Sequence, residues 1–161
     1  MNDTIGILER LIAFNTVSAR PIVQMINFIE KFCLDLGAVC TRLNAKDKGK
    51  AGLVARFGPD VVGGVMLSGH CDVVPVDGQS WTRPAFQLTQ QGNRLYGRGT
   101  TDMKGFLACM LAAGQTASTL DLRHPLILVF SYDEEIGCVG IQEMKSALAS
   151  LLAAPRLCIV G

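Results

Sequence analysis

Three short runs of this 161-residue sequence bring together residue types that can do chemistry: Ser68-Gly69-His70-Cys71-Asp72, Tyr96-Gly97-Arg98-Gly99-Thr100-Thr101-Asp102-Met103-Lys104-Gly105, and Ser131-Tyr132-Asp133-Glu134-Glu135-Ile136-Gly137. Together they offer one imidazole and several carboxylates. His70 and Asp72 are separated by one residue, so on an extended segment both side chains share a face and the carboxylate can reach the ring N–H. A metal-bound histidine commonly donates its second nitrogen to a carboxylate, which fixes the tautomer and makes the ligand more basic. The same spacing also suits a histidine satisfied at a strand end, with Asp72 opening a turn.

Asp102 stands between a glycine-rich loop and a helical segment, where a carboxylate either faces a site or caps the helix. Gly97, Gly99 and Gly105 serve the turn. Without G-x-G-x-x-G or G-K-[ST], a phosphate cradle is weakly supported. Asp133-Glu134-Glu135 directly follows the most apolar stretch of the chain. Three adjacent acids repel one another and need a cation. A divalent metal provides one, and a carboxylate just outside its coordination shell then makes a good general base. The alternative is a solvated acidic loop that caps the helix after Gly137.

The elements that must position these runs are legible from periodicity. Asp3 or Thr4 caps a first helix in which Ile5, Leu8, Leu11 and Ile12 recur at helical spacing, ending near Asn15. Pro21 opens a second, with Ile22, Ile26, Ile29, Cys33 and Leu36 as its apolar stripe and Gly37 as its stop. Both are expected to lie on a sheet. Ala38 to Leu43 and Leu53 to Phe57 read as a hairpin around the polar turn from Asn44 to Lys50, which includes Asp47 and Lys48. Val65 to His70 and Pro125 to Tyr132 read as buried central strands.

Gln87-Leu88-Thr89 and Arg94-Leu95-Tyr96 flank Gly92-Asn93 as a second hairpin. Met103 to about Ser118 reads as an alanine-rich buried helix, Val139 to about Leu152 as a last helix, and Arg156 to Val160 as a further apolar strand. Strands alternating with helices predict an α/β fold whose sheet is covered on both faces, with antiparallel strands contributed by the hairpins. Ligands of open α/β folds bind at the carboxyl ends of strands, where the three runs are expected to converge. Trp81, Arg83 and Phe86 either border that site or pack its loop, and packing is the expectation. His124, beside Pro125, is read as structural.

Composition excludes several classes of function. With 15 basic against 14 acidic residues, a net charge of +1 leaves no electrostatic surplus for nucleic acid or an anionic membrane. A 49% hydrophobic content with so little charge predicts a folded domain rather than disorder. Apolar runs such as Leu126 to Phe130 fall far short of the ~20 residues that span a bilayer. Met1-Asn2-Asp3-Thr4 carries an acid where a signal peptide carries basic residues. Six irregularly spaced cysteines without a C-x-x-C pair read as reduced thiols, so a cytoplasmic location is expected.

The segments SGHCDVVPVDGQSW, RLYGRGTTDMKG and DEEIGCVG, in that order, resemble the metal-dependent amidohydrolase and exopeptidase family. That family includes acetylornithine deacetylase, succinyl-diaminopimelate desuccinylase, aminoacylase and glutamate carboxypeptidase. Asn15-Thr16-Val17-Ser18 and Pro75-Val76-Asp77-Gly78-Gln79 are most similar to its acetylornithine deacetylase branch. The resemblance implies a three-layer α/β sandwich with a mixed, mostly parallel central sheet. It also implies that His70 binds one metal, Asp102 bridges two and Glu135 binds the second, while Asp72 orients His70 and Glu134 is the general acid/base. Two zinc ions are implied, with cobalt as a substitute, and a cis peptide at Asp102-Met103. Cys71 stands where the family more often has threonine; between ligand and orienter it points away from both, so little effect is expected beyond sensitivity to oxidation.

The implied reaction is hydrolysis of the amide of a small N-acyl amino acid, N-acetylornithine giving ornithine and acetate as a step of arginine biosynthesis. A desuccinylase, aminoacylase or dipeptidase activity on the same metal site is the alternative within catalysis. In the family, the strand ending Ile159-Val160-Gly161 runs into a further metal-binding carboxylate. A lid domain that forms a homodimer and a final metal-binding histidine lie downstream. Residues 1–161 are therefore expected to be the N-terminal part of a catalytic domain, with a truncated, non-catalytic α/β module as the other reading.

Overall fold

The computed structural model describes residues 3–46 and 49–161. Met1 and Asn2 of the N-terminal reading, and Asp47 and Lys48 of the expected turn, lie outside the described residues.

Helix α1 (Thr4–Ile12) is capped by Asp3, whose Oδ1 accepts the Gly6 N–H at 2.8 Å. It ends at Ile12, short of Asn15, and packs on α3 (Lys104–Ala117) rather than on the sheet. The cause lies in α3, which buries Leu107, Ala108, Met110, Leu111 and Ala112 around much of its circumference. A helix apolar on so many sides needs cover beyond the sheet, and Ile7, Leu8, Leu11 and Ile12 supply it.

Helix α2 (Val23–Asp35) starts two residues later than Pro21 suggested, with Ile22 as its N-cap, so the proline precedes the helix instead of occupying its first turn. It ends as the sequence predicts. Gly37 adopts φ +81°, its N–H bonds to the Leu34 carbonyl at 2.9 Å, and the Ala38 N–H bonds to that of Cys33 at 3.0 Å. That is the reciprocal pair of a Schellman stop, which favours glycine at this position.

Strands β1 (Val39–Asn44) and β2 (Ala51–Phe57) form the expected antiparallel hairpin. With β3 (Val65–His70), β6 (Leu126–Ser131) and β7 (Leu157–Val160) they make a five-stranded sheet of order β1-β2-β6-β3-β7. β6, β3 and β7 are parallel, and β2 runs antiparallel to β6, so only β2 points against the other four. β4 (Thr89–Gln91) and β5 (Arg94–Tyr96) pair separately as the second hairpin.

The β3-α3-β6 crossover steps one way across the sheet, and β6-α4-β7 steps back past β3. Right-handed connections therefore place α3 and α4 (Val139–Leu151) on opposite faces, giving three layers. Gly114 lets α3 approach so closely that a Cβ there would stand 2.9 Å from the Phe57 ring. On the other face Met144 of α4 lies over Gly52. The α4 layer is thin, since Gly140 and Met144 are its buried residues and β7 is exposed along its length. No described helix is long and apolar enough to cross a membrane.

Candidate metal centre

Parallel β3 and β6 end side by side, with His70 paired to Ser131, so the residues that follow each strand emerge at the same edge. The Cys71 N–H extends that pairing to the Ser131 carbonyl at 2.9 Å. A third segment joins them: Val17 bridges Val73, the Val73 N–H donates to Thr16 and the Ser18 N–H to the Val73 carbonyl. The Asn15–Ser18 segment thus acts as a short strap that holds the turn after His70. Thr16 Oγ1 completes it with a 2.7 Å bond to the Cys71 carbonyl.

His70 is buried, and its two ring nitrogens face different carboxyl-bearing residues. Nδ1 lies 3.0 Å from the Asp72 backbone carbonyl and 3.4 Å from its Oδ1. Nε2 lies 3.1 Å from Asp102 Oδ1 and 3.8 Å from Glu134 Oε2. Burial alone would lower the imidazole pKa, but the Asp72 and Asp102 carboxylates outweigh it and lift the group to about 9.

Asp72 is fully buried. Burial pushes its carboxyl upward, yet bonds from His70, from Ser18 Oγ at 2.7 Å and from the Glu134 N–H at 3.1 Å hold it below the usual range. The Glu135 N–H adds a further bond at 3.2 Å. Its carboxylate therefore organises the acidic loop as well as the histidine.

Asp102 does not cap α3. Met103 is the N-cap and its side chain makes no capping bond, while the Asp102 carboxylate is 70% exposed and turned to His70. The Asp102-Met103 peptide is cis. Nor do side chains of the acidic run cap α4, whose N-cap is Cys138 at φ +57°. Asp133 turns inward to an ion pair with Lys50, at 2.6 Å. Glu134 and Glu135 turn toward the histidine side.

One donor atom each from His70, Asp102 and Glu135 lies within 4.8 Å of the others. Burial first, then the Asp102 charge, raises the Glu135 carboxyl above its ordinary value. An imidazole and two carboxylates at this spacing are a donor set suited to zinc or a similar divalent ion, and the mutual repulsion of the acids is what such an ion relieves. These three residues would hold it, and Glu134 would stand beside it. His70, Asp102 and Glu134 open on a cleft of about 430 Å³ lined also by Ser131, Cys138 and Ile141. A larger hollow of about 730 Å³ between β1 and α4 contains none of the five residues singled out from the sequence.

Other expectations are placed elsewhere. Trp81 lies under the Arg98 guanidinium, 5.1 Å from ring centre to Cζ, and donates to Gln79, which is loop packing. His124 bonds the Val62 carbonyl, away from the cluster. Cys71 is wholly buried and burial raises its thiol, so the thiolate that oxidation requires is scarce. Sequence reasoning missed Lys50 and Lys104. Lys104 is fully buried, donates to the Phe14 carbonyl at 2.7 Å, and is lowered by burial to about 8. Each was hidden in a polar run without a local signal of burial.

The chain is 36% identical over 138 residues to acetylornithine deacetylase of Aliivibrio fischeri strain MJ11, covering 86% of this chain and 35% of that protein. It is 34% identical over 164 residues to acetylornithine deacetylase of Edwardsiella ictaluri, covering 98% of this chain and 42% of the relative. It thus spans well under half the length of these curated relatives. An M20 family metallo-carboxypeptidase from Sulfolobus solfataricus, Sso-CP2, superposes with a TM-score of 0.85 at 25% identity, over 99% of this chain and 37% of that one. Residues 66–159 match peptidase family M20/M25/M40, and that stretch carries His70, Asp72, Asp102, Glu134 and Glu135 together, so the chain belongs to this family.

Proposed function

We propose that the protein contributes the metal-binding and proton-transferring half of an amidohydrolase site acting on a small N-acyl amino acid, with N-acetylornithine as the first candidate. The observation that carries this reading is the convergence of His70, Asp102 and Glu135 within 4.8 Å, with Glu134 3.8 Å from the same imidazole. Identity to acetylornithine deacetylases supports the substrate. In this reading residues 1–161 are the N-terminal part of a catalytic domain, and the activity and a homodimer belong to a protein of the relatives' length. A cytoplasmic location, with arginine biosynthesis as the role, goes with that substrate.

Zinc, or cobalt in its place, supplies Lewis acidity when bound, lowering the pKa of water and polarising the amide carbonyl. His70 and Glu135 would each hold one of two ions and Asp102 would bridge them. Asp72 keeps the imidazole aimed by accepting from its Nδ1 side. Glu134, partly exposed at the cleft, accepts a proton from the attacking water and delivers it to the departing amine. The water oxygen bonds to the acyl carbon as the C–N bond breaks, leaving acetate and ornithine.

The test uses a protein of the relatives' full length. Glu134→Gln is expected to keep metal and lose turnover, whereas His70→Ala lowers the zinc content measured by elemental analysis. Near-normal turnover in the first, or unchanged stoichiometry in the second, would remove the assigned role. Assays with N-acetylornithine, N-succinyl-diaminopimelate and a dipeptide separate the substrates. The dipeptide is the second reading, favoured by the likeness to a metallo-carboxypeptidase.

A further inference from the structure

Lys50 is a buried cation that the chemistry above does not use. Its Nζ lies 2.7 and 2.6 Å from the two Asp133 carboxylate oxygens and 2.6 Å from the Ser18 carbonyl, which occupies all three N–H donors. Asp133 itself has φ +53°, a left-handed conformation uncommon outside glycine, although aspartate adopts it more readily than most residues. The two residues that follow are Glu134 and Glu135.

The bonds form a closed ring. Lys50 holds Asp133, the backbone runs on to the Glu134 and Glu135 amides, both amides donate to the Asp72 carboxylate, and that carboxylate accepts the hydroxyl of Ser18. The Ser18 carbonyl returns to Lys50. Because Lys50 immediately precedes β2, and β2 pairs with β6, the ring ties the acidic loop to the framework from two sides. It also neutralises the first of three consecutive acids, so that Asp133 does not compete with its neighbours for a cation.

We infer that Lys50 is a positioning residue of the metal centre: by pinning Asp133 in its left-handed turn it sets the direction of the Glu134 and Glu135 carboxylates. A buried ion pair often adds little net stability compared with apolar residues, and fixing one geometry is a role such a pair can serve. The purpose assigned here rests on the metal-centre reading above, whereas the ring does not.

The experiment compares the native chain with the double variant Lys50→Met/Asp133→Asn, in which no buried charge is left unpaired. Amide hydrogen exchange is followed by NMR without metal, and Co²⁺ affinity is measured by titration calorimetry. The Glu134 and Glu135 amides are expected to exchange about ten-fold faster or more, with Leu128 and Val129 of β6 unchanged, and Co²⁺ to bind about ten-fold more weakly. Unchanged rates at Glu134 and Glu135, an acceleration that includes β6, an unfolded double variant, or native Co²⁺ affinity would each overturn the inference. If the native chain binds no Co²⁺, the metal reading fails instead, and the exchange comparison alone decides the positioning role.

Discussion

Ser18 donates its hydroxyl to Oδ2 of Asp72 at 2.7 Å, in the interior and across 54 positions of sequence. Through that one contact the strap at Asn15–Ser18 reaches the histidine and both glutamates, because Asp72 also accepts the Glu134 and Glu135 amides and lies against His70. A side chain remote from the cleft in sequence therefore holds the carboxylate on which the cluster is built.

Ser18→Ala leaves the fully buried Asp72 carboxylate one bond short. Hydrogen bonds to charged groups contribute about 1.5–3 kcal/mol, and an unsatisfied buried acceptor is the costly case. Urea unfolding of the metal-free chain should show a loss in that range. An unchanged midpoint would mean that water replaces the hydroxyl and that the strap holds through its backbone alone.

Divalent metal should stabilise the folded chain. A ligand at 100 times its Kd adds about 2.7 kcal/mol if it binds only the folded state. Zn²⁺ or Co²⁺ is expected to raise the melting temperature and EDTA to reverse the rise, whereas His70→Ala abolishes the response. A melting temperature indifferent to both ions would argue that three donors within 4.8 Å are not enough to hold metal.

Two glycines on the α4 side separate backbone from side-chain crowding. A Cβ at Gly140 would stand 1.9 Å from the Tyr132 carbonyl oxygen, and one at Gly52 would stand 2.3 Å from the Met144 sulfur and 3.1 Å from the Phe130 carbonyl oxygen. The Tyr132 carbonyl is fixed at the end of β6, but a thioether can swing aside. Gly140→Ala is therefore expected to cost at least the 1–3 kcal/mol typical of overpacking, roughly, and Gly52→Ala less. Equal losses in urea unfolding would show that Met144 has no room to move or that the Phe130 carbonyl blocks the Cβ.

The candidate site was legible as three runs because each run is local. Each reactive run follows a strand or hairpin whose periodicity marks its end, and parallel pairing of β3 with β6 brings His70 and the acidic run to one edge. Gly37 announced the stop of α2 by type alone. What could not be read is long-range polar pairing. Lys50 belongs by composition to a solvated turn, and nothing near it in sequence says that its partner is Asp133, 83 residues on. Lys104 is equally silent, since the carbonyl it meets belongs to Phe14. The seat of α1 on α3 followed from how completely α3 is apolar, a property of the neighbour rather than of α1.

Without metal, the stability of the chain should fall as the solution turns alkaline through the range of His70. The folded state lifts this group to about 9 from an ordinary 6.5, so it grips a proton that the unfolded chain releases first. Its contribution is complete below about pH 6.5, drains away as pH rises toward 9 and is gone above it, an upper bound of roughly 3 kcal/mol. Lys104 works in the opposite sense. Burial lowers it to about 8, so from there upward the folded state sheds a proton that the unfolded chain keeps until about 10.5, and stability rises. The two overlap between pH 8 and 9, and only a difference measurement resolves them. Unfolding free energies of the native chain minus those of His70→Gln, from pH 6 to 10, should decline with pH and then level off. A flat difference would mean that Asp72 and Asp102 do not hold the imidazolium in the folded state. Metal binding should show the reverse trend, since an ion must displace that proton, and affinity should climb until the imidazole is free of it.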